Sequence, residues 1–190
     1  HCSLGLLSVL HLKGFITAED LATFRLNGSN FGAHLDLDKM PGVEMSTGSL
    51  GHGLSVGVGR ALAAKIDNLD YLTYVMMGDG ENQEGSIWEA AMSASNYNLN
   101  NLIGIVDRNN IQQCGFTEDI MAISSLKDKW ESFGWSVREI DGHNMQEILE
   151  IFSQIPFNEN KPSLVISNTI KGKGISFMEN DNKWHGGGAI

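Results

Sequence analysis

Prolines number 3, cysteines 2 and basic residues 13 in a chain of 190 that carries 23 acidic residues. Each shortage excludes something. Cys2 and Cys114 form no metal-type spacing and are too few for a disulfide framework, which fits a reducing, cytoplasmic compartment. A net charge of −10 argues against a nucleic-acid surface and against an anionic membrane. Apolar runs such as 102–106 are too short to span a bilayer. No stretch reads as a secretory signal. No Pro-rich linker, charge block or internal repeat marks a boundary, so residues 1–190 read as a single domain large enough to bury a core. The 22 glycines follow no period, which excludes a collagen-like chain. The chain begins at His1 and ends at Ile190, which reads as processing or as a piece of something larger.

Apolar strands alternate with amphipathic helices. Residues 3–12 predict a helix that starts at or before the first residue and ends at Gly14. Thr17, with Asp20 three residues on, forms a capping box for the next helix. Residues 28–53 read as loop, and 54–66 as a buried helix crowded with small residues. Strands are expected at 71–77, 102–106, 136–140 and 164–167. Between them, Ser86 with Glu89 caps a helix to about Tyr97, Ser124 and Ser125 open one that ends at Gly134, and Asn144 with Glu147 caps one to about Ile155. His143 reads as part of the turn that enters this last helix. The order β-α-β-α-β-α-β predicts an α/β fold, a parallel sheet with helices on both faces. In such sheets ligands sit beyond the carboxyl ends of the strands. Those ends, at 78–80, 107–111, 141–144 and 169–174, are dense in Gly, Asp, Asn and Lys.

Several motifs fail on context. Gly53-Leu54-Ser55-Val56-Gly57 has the spacing of a hydrolase nucleophile elbow, but no strand runs into it, and Ser55 is expected near a helix start. A dinucleotide fingerprint would need a third glycine where Gln83 stands. Asp36 and Asp38 resemble the start of a calcium loop that lacks its Gly and its closing Glu, so they read as a solvated turn.

One constellation remains. Gly78-Asp79-Gly80 follows a strand and precedes a helix, a place where backbone N–H groups approach a phosphate. Asp79 would repel that phosphate unless a cation lay between them, and Mg2+ suits one or two protein oxygens plus phosphate oxygens. The next strand ends at Asn109-Asn110, whose amide oxygen and a nearby carbonyl could complete the metal site.

Gly78-Asp79-Gly80, then residues 81–108, then Asn109-Asn110 matches the thiamine diphosphate motif, and nearly the whole chain resembles transketolase in its diphosphate-binding N-terminal domain. The likeness to stand-alone N-terminal subunits of two-subunit bacterial transketolases is the nearest. It runs through PGVEMSTGSLGHGLSVGVGRALAAK, GDGENQEGSIWEAAM, NLIGIVDRNNIQ, KWESFGW, DGHN and IKGKGISFMENDNKWHG. The resemblance implies the thiamine-diphosphate-binding fold and a two-carbon ketol transfer from a ketose phosphate to an aldose phosphate, as in the pentose phosphate pathway. It implies Mg2+ on the Asp79 and Asn109 side chains and the Ile111 carbonyl, and the diphosphate on Gly78 and the Gly80 N–H. Gly48 and Leu50 match backbone contacts to the aminopyrimidine, His1 matches a residue near the diphosphate, and Ile170 lies in the loop that covers the cofactor. His34 and His185 match residues that line the thiazolium and handle substrate protons. Leu35 stands where the family has Pro, which leaves the His34 loop looser. Glu84 and Glu89 match a carboxylate network that links two cofactor sites across a dimer, although capping alone would account for Glu89.

The resemblance also implies a partner. A C-terminal subunit or domain would surround the aminopyrimidine, in a homodimer or a heterotetramer, so this chain is expected to be truncated at both ends and inactive in ketol transfer alone. The alternatives are another thiamine diphosphate enzyme such as 1-deoxy-D-xylulose-5-phosphate synthase, which should agree less in GVEMSTGSLG and KGKG…WHG, and a non-catalytic homologue, which should have lost its metal ligands.

Overall fold

A computed structural model describes residues 2–185. The chain divides into two compact units, residues 1–50 and 51–190.

The first unit carries α1 (Ser3–Leu12) and α2 (Ala18–Ala22) and is otherwise irregular. Helix α1 starts at Ser3, later than its apolar run suggests, and the Ser3 hydroxyl donates to the Ala33 carbonyl at 2.7 Å. Thr17 and Asp20 form the expected capping box. The turns that follow α2 reach Arg25, which takes φ 60° and sends its N–H to the Phe31 carbonyl. Leu7, Leu10, Ile16, Phe31, Met40 and Val43 form this unit's core.

Among its described residues the second unit has six strands: β1 (Thr73–Gly78), β2 (Leu102–Arg108), β3 (Ile111–Gln112), β4 (Gly115–Phe116), β5 (Ser136–Asp141) and β6 (Ser163–Asn168). Its helices are α3 (His52–Ile66), α4 (Gly85–Asn96), α5 (Thr117–Ile120), α6 (Leu126–Ser132) and α7 (Met145–Phe152). β1, β2, β6 and β5 lie side by side in that order, every pair parallel. β3 and β4 form a small separate hairpin. Helices cover both faces, as expected.

The two faces divide by alternation. Val75 and Met77 of β1, Val106 of β2, Val137 of β5 and Ile166 of β6 bury one face against α3, α4 and α6. Trp130 of α6 and Trp135 meet edge to face there, ring centroids 4.8 Å apart. On the other face Ile140 and Val165 pack beneath Ile151 of α7. Helix α3 lies close over β1 because residue 57 is glycine: an added Cβ would stand 2.4 Å from a Val75 methyl.

The start of α4 and the end of α7 also differ from expectation. Ser86 does not cap α4, which begins at Gly85, with Glu84 at the cap position and no side-chain capping bond. The Ser86 hydroxyl donates instead to the Gly51 carbonyl at 3.2 Å, ahead of α3. The capping-box reason for Glu89 therefore disappears. Helix α7 ends at Phe152 rather than near Ile155, with Pro156 following. No helix among the described residues is long and apolar enough to cross a membrane.

Candidate functional site

The register sets the site. Gly78 pairs with Asp107, and Asn168 pairs with both Arg108 and Asp141, so the carboxyl ends of the four parallel strands lie level. The chain segments singled out by composition converge on that edge.

At its centre is Asp79, only 3% exposed. Asp79 caps the 3-10 turn Gly80–Gln83, its Oδ1 accepting the Gly80 N–H at 2.8 Å. Its Oδ2 accepts the Asn110 N–H at 2.6 Å, across to the end of β2. The Asp79 N–H in turn donates to the Asp107 carbonyl at 3.2 Å. Asn110 takes φ 63° to turn its N–H inward, a conformation that Asn tolerates. Burial raises the Asp79 carboxyl above its ordinary range, opposed by the Gly80 and Asn110 donors and reinforced by the charge of Asp107.

Asn109 stands beside this carboxylate. Its Oδ1 accepts the Ile111 N–H at 3.1 Å, and its Nδ2 donates to Asp107 Oδ2 at 3.2 Å. An amide oxygen has two lone pairs, so one is left for a cation. Gln112 follows in β3 with its Oε1 buried and unpartnered, close over Gly80.

The donor set fits a hard, phosphate-bridging cation. Among the described residues no group of three or more His, Cys, Asp or Glu could hold a metal. A buried carboxylate beside an amide oxygen suits a hard cation such as Mg2+, which takes one or two protein oxygens alongside phosphate oxygens and water.

The loop after β6 lies on the same edge. Thr169 donates its N–H to the Arg108 carbonyl at 3.1 Å and its hydroxyl to Asp107 Oδ1. Ile170 donates its N–H to His143 Nε2 at 2.7 Å, a bond that requires the imidazole neutral at that nitrogen. His143 is thus more than a helix-entry residue. Its turn is as expected, its N–H on Asp141 Oδ1 at 2.9 Å, but its ring also tethers the 170–174 loop. His185 is half-buried, with Nδ1 enclosed and without a partner. Burial first, then the Lys171 ammonium, lowers its pKa below the ordinary imidazole value. Glu84 and Glu89 are both exposed. Ser55 is an exposed residue inside α3, with no strand ahead of it, which removes the hydrolase elbow.

In the first unit, His34 and Gly48 are neighbours: an added Cβ at Gly48 would lie 3.0 Å from His34 Cγ. Gly48 has φ 121°, so that a side chain is excluded on both counts. Leu35 does not leave this loop open. Its carbonyl accepts the Thr47 N–H at 3.0 Å, and its side chain packs on the unit's core. Leu50 is 39% exposed. The Asp36 turn is solvated, closed by Lys39 at 3.0 Å. His1 lies outside the described residues.

Comparison with known proteins shows the family of the chain. The sequence matches the family described as "Transketolase, thiamine diphosphate binding domain" over residues 1–189. An apulose-4-phosphate transketolase subunit of Phocaeicola vulgatus is 50% identical over 187 residues, 98% of this chain and 66% of that protein. A 6-deoxy-6-sulfo-D-fructose transketolase subunit of a Clostridium species is 45% identical over 94% of this chain and 65% of its own length. The chain thus spans just under two thirds of these relatives. The crystal structure of transketolase from Campylobacter jejuni superposes with a TM-score of 0.89 at 36% identity, covering 95% of this chain and 29% of that one. By family match, sequence identity and fold, the chain belongs to the transketolase thiamine-diphosphate-binding domain family.

Proposed function

We propose that this chain binds thiamine diphosphate through Mg2+ and, with a C-terminal partner subunit or domain, transfers a two-carbon ketol unit from a ketose phosphate to an aldose phosphate. The observation that carries the reading is the buried Asp79 carboxylate tied across the ends of β1 and β2 beside Asn109, in a chain of this family. We read both compact units as one cofactor-binding domain, because the family match runs through both.

Bound thiamine diphosphate supplies an electron sink for breaking the carbon–carbon bond next to a carbonyl. Asp79, Asn109 Oδ1 and the Ile111 carbonyl are the residues that would hold Mg2+. The metal charge would offset what burial costs the Asp79 carboxylate. Gly78 and Gly80 would then present backbone to the diphosphate, and Ile170 would close over it. Asp107 and His143 hold Thr169 and Ile170 at that edge. His185, whose pKa is lowered by burial and by Lys171 and whose enclosed Nδ1 has no hydrogen-bond partner, would suit proton transfer at a sugar hydroxyl. The resemblance assigns His34, Gly48 and Leu50 to the ring end of the cofactor, His1 to its diphosphate, and Glu84 to a carboxylate network in the assembly.

Two apulose-4-phosphate relatives are each named as one subunit of their transketolase, which supports a separate partner chain in a homodimeric or heterotetrameric assembly. The relatives' names give different sugars, so the substrate is read as a sugar phosphate and its identity is assigned to the partner's side of the site. Alone, the chain is expected to show no ketol transfer.

Calorimetry with thiamine diphosphate, with and without Mg2+, tests the reading. Binding should require Mg2+ and vanish in Asp79→Ala. Equal binding without the metal, or in that variant, would overturn the assignment.

A further inference from the structure

Asp107 has no role in the reading above beyond holding Thr169, yet both of its carboxylate oxygens are engaged at the centre of the edge. Oδ1 accepts the Thr169 hydroxyl, from the loop after β6, and Oδ2 accepts the Asn109 Nδ2 at 3.2 Å. Asp107 is the penultimate residue of β2, held in register between Gly78 of β1 and Ser167 of β6. Its backbone carbonyl receives the Asp79 N–H. One residue thus touches the metal-proposed carboxylate's backbone, the metal-proposed amide's side chain and the covering loop.

The chemistry of an amide gives this contact its meaning. Asn109 has an oxygen and a nitrogen of nearly equal size at the ends of one plane, and only the oxygen can ligate a cation. Rotating that plane by half a turn would aim an NH2 group at the metal and repel it. A carboxylate at 107 accepts only, so it admits Nδ2 and rejects Oδ1. The Ile111 N–H, which needs an acceptor, holds the opposite end. Asp107 cannot swing away while Thr169 occupies its other oxygen.

We propose that Asp107 is a positioning residue that sets the amide orientation of Asn109, anchored in turn by Thr169, and so makes Asn109 Oδ1 the end offered to the cation. This rests on the Mg2+ reading of the Asp79 edge. Groups that orient a metal ligand through hydrogen bonds change metal affinity about 10–100-fold when removed. Asp107→Asn keeps the geometry: its amide oxygen can accept from Asn109 while its NH2 donates to the Thr169 hydroxyl. The conservative variant should therefore rescue what Asp107→Ala loses.

The test measures binding, not turnover. Free Mn2+, standing in for Mg2+, is titrated by electron paramagnetic resonance into the chain with thiamine diphosphate present. Circular dichroism checks that each variant is folded. Asp107→Ala should bind Mn2+ about 10–100-fold more weakly than the parent, and Asp107→Asn within about threefold of it. Thr169→Val, which frees the carboxylate without changing its charge, should weaken binding several-fold and keeps the proposal open to refutation if Asp107→Ala does not fold. Parent-like affinity in Asp107→Ala or in Thr169→Val, alongside weak binding in Asn109→Ala, overturns the positioning role. So does Asp107→Asn binding as poorly as Asp107→Ala, since charge and not orientation would then be what matters. Parent-like affinity in both Asp79→Ala and Asn109→Ala removes the metal site itself, and this proposal with it.

Discussion

The Trp130 indole nitrogen donates to Asn82 Oδ1 at 2.9 Å, a bond between two buried side chains 48 residues apart. The same Asn82 sends Nδ2 to the Gly78 carbonyl at 2.8 Å and accepts the Trp88 indole at its own carbonyl at 2.9 Å. A core amide thereby ties the turn after β1 to the aromatic cluster beneath it. Asn82→Ala should leave the Trp130 N–H buried and unpaired, at a cost of about 2–3 kcal/mol. For a chain of this size that lowers the melting temperature by roughly 4–12 °C. A thermal melt of the variant checks this, and an unchanged midpoint would mean that the indole finds another acceptor.

Two glycines of α3 should respond to alanine with opposite signs. At Gly57 the added methyl meets Val75 at 2.4 Å and Leu102 at 3.3 Å. Overpacking of that kind costs about 1–3 kcal/mol, more than offsetting the helix propensity that alanine brings. At Gly59 nothing lies within 4 Å of the new methyl. Gly59→Ala should therefore stabilise by about 0.5–1 kcal/mol, the propensity gain alone. Urea unfolding of the pair decides the matter, and the idea of a close α3–β1 approach fails if Gly57→Ala is the more stable of the two.

The difference between what could and could not be read in advance lies in the range of the interactions. Strand β2 announced itself as an apolar run, and the Thr17–Asp20 capping box closed as its spacing implied, because both are local. Gly78-Asp79-Gly80 and Asn109-Asn110 were legible because the motif spacing already encodes adjacent parallel strands. Ser86 misled for the opposite reason: its partner, the Gly51 carbonyl, lies 35 residues away and outcompetes the local cap. His143 and Ile170 are 27 residues apart, Asp107 and Thr169 are 62, and nothing in either segment alone signals the other. The small β3–β4 hairpin, two residues per strand, is too short for any periodicity to show.

His185 supplies a pH-dependent prediction with a definite sign. Burial, then Lys171, disfavours its charged form, so its folded pKa lies below the ordinary 6.5. The stability it contributes is present above the unfolded value and is lost as pH falls through the folded one. At neutral pH the ring is therefore neutral, as a proton acceptor must be. Its imidazole resonances, assigned by comparison with His185→Gln, should titrate below the ordinary value. Titration at or above 6.5 would remove the structural basis for this role.

Asp79 carries the opposite shift and couples it to the metal. Its folded pKa is raised above the ordinary 3.8 by burial. Between those two values the folded chain holds a proton that the unfolded chain has released. The stability from this group is therefore complete below 3.8 and is lost as pH rises through the folded value. Above the folded value the metal-free chain carries the ionised, buried carboxylate as a cost. Mg2+ needs that carboxylate ionised, so protons compete with it, and affinity should fall about tenfold per pH unit below the folded value. The rise in melting temperature on adding Mg2+ with thiamine diphosphate should accordingly be larger at a pH above the folded value than at one below it. Asp79→Asn should abolish both the metal-dependent rise and its pH dependence. A rise that is equal at the two pH values, or that survives in Asp79→Asn, would separate the buried carboxylate from metal binding.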